Sequence, residues 1–291
     1  MNELPRQPQA RLAIRDVLKD EDYRFRLRLV RAQPIDYFAP WDPTGHNPEL
    51  AERRRWIREF PDRHLPFLPE AEPLVEEVSE FATSLGLDVR AANAIPEPQA
   101  RWAALASCLE PDLVLLTRHA GTSHMVAGAV CFPSSWRPEE KLGLPLAAIH
   151  DAVPGLNAEI GSPLDAFLDR LRPGTAWLRA NWGLTASREL NQHPTRQLPR
   201  LTPPARLDST LLRLEHQAVL ALPRTGGLLF GIRVDHLELT ALHQDPDLSS
   251  ALVRALDSMP EPMARYKGLV GVRAELTRLL AEPAPPSQQP P

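Results

Sequence analysis

The sequence predicts an α+β fold, with helices before and after an antiparallel sheet. Three observations predict it. Apolar residues recur at helical spacing ahead of residue 110. Between Leu113 and Val234 they fall into short alternating runs separated by turn residues, the pattern of hairpin-connected strands. After Asp245 the helical spacing returns.

Leu50 to Phe60 reads as a helix carrying Arg53, Arg54, Arg55 and Arg58. With Glu49, Glu52 and Glu59 among them, these arginines are expected to form a solvated face. Leu74, Val78, Phe81 and Leu85 mark the apolar stripe of a second helix, and Gly86 is placed to end it. Ala100 to Leu109 is a short third helix. Leu113 to Arg118 and Met125 to Phe132 then read as strands joined by a loop containing Gly121. Ser162, Pro163 and Asp165 are a helix start, and Leu164, Phe167, Leu168 and Leu171 form its stripe. Ala176 to Trp182 is a strand.

The clearest hairpin runs from Thr210 to Leu222, turns through Pro223-Arg224-Thr225-Gly226, and returns from Gly227 to Val234. Strand alternation puts Leu212, Leu214, Ala218, Leu220 and Leu222 on one face and Arg213, Glu215 and Gln217 on the other. Asn191 to Leu207, rich in Pro, Arg and Thr, is a long loop. Asp245 and Pro246 open a helix with Leu248, Leu252 and Leu256 on one side, and Gly268 to Leu280 is the last helix. The expected organisation is a polar extension over 1–23, one domain over 24–280, and a proline-rich disordered tail over 281–291.

Composition narrows the function. Hydrophobic residues make up 43% and charged residues 24%, an ordinary globular balance. The net charge of -4 gives no bulk attraction to nucleic acid or anionic membrane. No run approaches the roughly 18 apolar residues of a membrane span. The polar start, Met1 to Arg11, lacks the apolar middle of a signal peptide, so a cytoplasmic location is expected. Cys108 and Cys131 are far apart and form no zinc motif, consistent with free thiols in a reducing compartment. No nucleophile elbow of the Gly-x-Ser-x-Gly kind is present.

The chemistry-bearing segments occur in a definite order. Val130-Cys131-Phe132-Pro133-Ser134-Ser135-Trp136 leads into Glu140-Lys141-Leu142-Gly143, then Ile149-His150-Asp151-Ala152-Val153-Pro154. Arg179-Ala180-Asn181-Trp182, Arg213-Leu214-Glu215-His216-Gln217 and Leu222-Pro223-Arg224-Thr225-Gly226 follow, and Tyr266-Lys267-Gly268-Leu269 closes the set. Taken together, from about Arg24 to about Leu280, the set resembles the haem-dependent oxidative N-demethylase-like family. The resemblance implies a PAS-like antiparallel sheet flanked by helices, with haem held on it. It implies oxygen-dependent demethylation of a small secondary amine, with NADPH and flavin acting through separate reductase subunits. The chain has no Gly-x-Gly-x-x-Gly and no cluster-binding cysteines, so those electrons would come from a partner. It also lacks Cys-x-x-Cys-His, so the haem would be noncovalent haem b.

Within that resemblance, His150 is the preferred axial ligand. It follows the apolar stretch Leu144 to Ile149 and precedes Val153-Pro154, where a rigid loop would aim it. A lone histidine is more often structural, and His216 is the next candidate. Cys131 is the rival, since a thiolate favours O–O cleavage, but a cysteine between Val130 and Phe132 usually acts as a small buried hydrophobe. Lys141, Arg179, Arg213 and Arg233 are candidate partners for the propionates. Glu215 is the candidate polar group for a protonated amine or a proton relay. The bland alternative places Arg213 and Glu215 on the solvent face of an edge strand, or pairs them across the sheet. Two other functions stay open beside the oxygenase: a haem sensor without turnover, and a scaffold with no cofactor.

Overall fold

In the computed structural model, residues 12–39, 47–119 and 121–284 are described. The polar start and the tail beyond residue 284 lie outside them. Six strands form one sheet: β1 (Val30–Ala32), β2 (Asp112–His119), β3 (Thr122–Ala129), β4 (Ala176–Thr185), β5 (Leu211–Ala221) and β6 (Leu228–Glu238). Their order is β1-β4-β5-β6-β2-β3, and every neighbouring pair is antiparallel. The chain thus makes the β2–β3 hairpin, crosses through helices, and runs a three-strand meander whose last strand pairs with β2. The fold is α+β, a six-stranded antiparallel sheet flanked by helices.

The alternation read from β5 holds in the register. Ala218 pairs with Leu178 and Gly231, and Leu220 with Leu229. These residues share the back face with Leu113 and Leu115. They pack against Val78 and Ala82 of the helix Glu72–Ser84 and against Trp102 and Leu105 of the helix Pro98–Ala106. Burying a leucine of this kind stabilises the fold by roughly 1.5–3 kcal/mol. At the other end of the same face, Leu184, Leu212 and Leu214 pack against the helices Pro246–Asp257 and Arg273–Ala281. Gly231 lies where Tyr37 and Phe38 approach most closely. A Cβ there would sit 2.8 Å from either ring, closer than packed carbons come.

The β5–β6 turn shows why its sequence is particular. Gly226 takes φ +69°, a left-handed conformation that costs glycine little. Glu77, buried on the helix Glu72–Ser84, accepts hydrogen bonds from the backbone of Arg224 (2.5 Å) and Thr225 (3.0 Å) and from the Thr225 hydroxyl (2.6 Å). One carboxylate therefore holds the turn and ties it to a helix.

Several expectations need correction. Arg53 is not on a solvated face. It is fully buried, its Nη1 lies 2.7 Å from Asp112 Oδ1, and its Nη2 donates to Glu110 O. Asp112 also accepts from the backbone N–H groups of Cys131 and Phe132. That capture bends the chain out of β3 after Ala129, so the strand ends sooner than its apolar run suggests. The final helix starts at Arg273, and a separate helix, Glu261–Tyr266, stands before it. The described part of the N-terminal extension, from residue 12 onward, packs onto the domain. Leu18 is buried, Tyr23 packs on Trp182 at 6.1 Å, and the Phe25 N–H donates to Glu159. No helix among the described residues is long and apolar enough to cross a membrane.

Candidate functional site

The front face of the sheet carries the polar strip. Register places Arg179 opposite Gln217, Asn181 opposite Glu215, and Arg213 opposite His236. Residues paired across antiparallel strands point the same way, so all six share one face. β5 is an interior strand, and Arg213 and Glu215 are only 4% and 9% exposed. The edge-strand, solvent-face reading therefore does not hold. At one end of the strip, Val219 and Ala221 pack with Leu168 and Leu171, and Trp177 meets Phe167 of the helix Ser162–Arg170 edge-on at 5.5 Å.

His150 is brought to this strip. It ends the five-residue helix Leu146–His150 rather than sitting in an irregular loop, and Leu146 and Ile149 pack into the same apolar cluster. Its ring makes no hydrogen bond to a described residue. Burial, reinforced by the nearby charge of Arg179, lowers its pKa to about 4, so it is a neutral imidazole at neutral pH. That is the form that can donate a lone pair to a metal.

Arg179 is the most unusual member. Its Nε is buried with no acceptor, and among the described residues its guanidinium makes no hydrogen bond or ion pair. Burial lowers its pKa, opposed only by the field of Glu215. A desolvated, unpaired guanidinium is costly unless an anion meets it. Glu215 is held differently. Gln217 Nε2 donates to its Oε2 at 2.8 Å, and Asn181 Nδ2 approaches the same oxygen at 3.4 Å. Both fix Oε2, and no described residue bonds to Oε1.

Arg213 is fully engaged. It donates to Ser134 Oγ (2.7 Å), Phe132 O (2.8 Å), Leu190 O (2.8 Å) and, more weakly, Glu189 O (3.4 Å). Its Nη1 also lies 3.1 Å from His236 Nε2, and burial lowers its pKa to about 10. It clamps two loops beside the strip. Arg233 is on the opposite face, because it pairs with His216 and alternates with Val234. There it bonds Tyr37 O and Ala39 O and pairs with Glu110 at 2.5 Å. Lys141 lies in a short 3-10 turn beside β3 and makes no ion pair with a described residue. Four of the six expected residues thus meet: His150, Arg179, Arg213 and Glu215.

The rival ligands fare differently. Burial pushes the Cys131 thiol up to about 12, so it is not a thiolate, and its Sγ lies 3.8 Å from Arg53 O. His216 is buried on the back face, its Nε2 3.2 Å from Asp235 and its Nδ1 without a partner. Among the described residues no three His, Cys, Asp or Glu converge as a metal cage. A haem iron needs only one protein ligand, so that grouping is not required here.

A family model described as haem-dependent oxidative N-demethylase, alpha subunit-like, matches residues 83–277. The chain belongs to this family. The matched stretch contains His150 and the entire front-face strip. The family is named for haem dependence and for one subunit of a larger assembly.

Tyr266 and Lys267, which close the ordered set of segments, also come near Glu215. Burial lowers the Lys267 pKa to about 8, with Glu215 opposing. Its Nζ donates to Trp182 O at 2.5 Å and lies 5.4 Å from the Trp182 ring centre. Tyr266 is half exposed, and its ionisation also feels Glu215. The sequence signal for Lys267 is weak: it follows Arg265-Tyr266 and precedes the apolar run Gly268 to Val272, with no motif around it.

Proposed function

We propose that this chain is the haem-carrying oxygenase subunit that removes a methyl group from a small secondary alkylamine. The observation that carries the proposal is one juxtaposition. A neutral, unbonded imidazole, His150, stands beside an unpaired guanidinium, Arg179, on a strip that also presents one open oxygen of Glu215. An iron ligand, a propionate partner and an amine acceptor are the three protein functions such a site requires.

The residues fit a noncovalent haem b. His150 would be the axial ligand and Arg179 a propionate partner, while Arg213 holds the neighbouring loops and Arg233 and Lys141 lie elsewhere. The excess of positive charge on the strip suits a dianionic porphyrin. When bound, haem supplies oxygen activation, which no side chain here provides. The chain's own residues bind, orient and exclude water. Glu215 Oε1 accepts an N–H of the amine or its proton, while Gln217 and Asn181 keep Oε2 from rotating into that place. Such positioned acid–base groups typically contribute about 10²–10⁴-fold.

The reading further holds that residues 24–280 are one PAS-like domain, supported by the meander closing back on the first strand of the hairpin. It acts in the cytoplasm and draws electrons from NADPH and flavin on partner subunits. The test is amine-dependent oxygen uptake and formaldehyde release by haem-loaded protein supplied with a reductase. Turnover with dimethylamine, reduced about 10²-fold in Glu215→Gln, is expected. Haem binding with no amine-dependent uptake would favour a sensor, and absence of haem would favour a scaffold.

A further inference from the structure

Two guanidinium groups open on one cavity with a buried Nε–H that has no acceptor. One is Arg179 of β4. The other is Arg26, on the extended segment that runs along that strand. The cavity, of about 120 Å³, lies between residues 12–28 on one side and Arg179, Asn181 and Trp182 on the other. At ~30 Å³ per water it holds about four waters, enough for a small polar head group.

The charges around it are only partly compensated. Five cations and three carboxylates line it. Asp16 is paired with Lys19 at 2.9 Å, and Asp22 with Arg254 at 3.0 Å from outside the cavity. Glu21 is shared between Arg26 (2.8 Å) and Arg28. No carboxylate of a described residue reaches Arg179. Buried donors are almost always satisfied, and an orphaned one needs an explanation. Both orphans belong to side chains that line the same small cavity, which points to a single missing acceptor shared by the two guanidinium groups. A planar carboxylate matches guanidinium edges fork to fork, and its small size suits a cavity of this volume.

We propose that this cavity binds a carboxylate group, with Arg26 and Arg179 as its donors. The inference rests in part on the haem reading, because Arg179 belongs to both sites. The carboxylate has two possible sources, a haem propionate or a free small carboxylic acid, and the chemistry of recognition is the same. If the source is the propionate, the segment 21–28 is part of the cofactor site and closes over it from outside the sheet.

The test compares wild type, Arg26→Met and, as a remote control, Arg90→Gln. Protein stripped of haem is titrated with iron protoporphyrin IX and with its dimethyl ester, and haem-loaded protein is titrated with acetate while its Tm is followed. If a propionate fills the cavity, wild type and Arg90→Gln bind the diacid about tenfold more tightly than the ester, and Arg26→Met loses that preference. If a free acid fills it, acid and ester bind alike, but acetate raises the Tm of wild type and not of Arg26→Met. An acid–ester preference unchanged in Arg26→Met, together with no acetate effect, overturns the proposal. So does a response to inorganic phosphate but not to acetate at equal ionic strength. Should Arg26→Met fail to fold, the wild-type protein decides: absence of both acid–ester preference and acetate stabilisation overturns the site. If the protein binds no porphyrin at all, the haem reading falls while the acetate titration of the same protein still reads the cavity.

Discussion

Arg213→Met removes a guanidinium and keeps most of its apolar stem. In the native protein that group satisfies the carbonyls of Phe132 and Leu190 at 2.8 Å each, the Ser134 hydroxyl at 2.7 Å and His236 at 3.1 Å. The side chain is almost fully buried, so water does not readily replace it. Each orphaned carbonyl costs about 1–3 kcal/mol, and relaxation prevents simple addition. The expected net loss is about 3–5 kcal/mol, in the range seen when one member of a buried charged network is removed. For a chain of this size, about 2 °C of Tm accompanies each kcal/mol, so Tm should fall by about 6–10 °C. Arg54→Ala removes a single exposed bond to Ser107 O, worth no more than about 1 kcal/mol and about 2 °C. Thermal unfolding by circular dichroism of both variants without haem is the assay. Equal Tm changes would refute the clamp. So would an unchanged Tm in Arg213→Met with selective loss of haem, which would make Arg213 a cofactor partner.

Other outcomes follow from the same geometry. Arg179→Met should leave the haem-free Tm unchanged or slightly higher, since it removes a half-buried cation with no partner among the described residues, yet weaken haem binding about tenfold; thermal melts and haem titration read both. His236 has its pKa lowered to about 4, by burial first and then by Arg213. Folded His236 therefore binds fewer protons than the unfolded chain between about pH 6.5 and 4. Stability should fall as pH drops through that window, by roughly 1–3 kcal/mol, and urea melts of His236→Gln should show a shallower decline. Glu77→Gln should cost about 1–3 kcal/mol by weakening three bonds to the β5–β6 turn, with faster amide exchange at Arg224 and Thr225 as the local readout.

The sheet was legible because β5 carries its alternation plainly: leucines on one side and Arg213, Glu215 and Gln217 on the other. The register of β4 and β6 then places Arg179 and His236 beside them, which no periodicity within one segment reveals. Arg233 shows the limit. It is separated from the strip only by strand parity, and the sequence does not state which parity pairs with which. Arg53 misled because a charge-balanced helix looks solvated, whereas Asp112, far away in sequence, draws it into the core. The short helix before His150 was hidden by its length, since five residues hold too little pattern to register. Arg26 did carry a faint signal, as Arg24, Arg26 and Arg28 alternate with Phe25, Leu27 and Leu29 in the manner of an extended segment.

The central claim is that His150 binds the haem iron from the front face of the sheet. The direct measurement is the visible absorption spectrum of wild type and His150→Ala, oxidised and reduced, with folding checked by circular dichroism. The account predicts a Soret band in wild type. It predicts haem loss or a changed spin state in a folded His150→Ala, with partial recovery on adding imidazole. An unchanged Soret position and haem content in His150→Ala would contradict it and move the search to His216 on the opposite face.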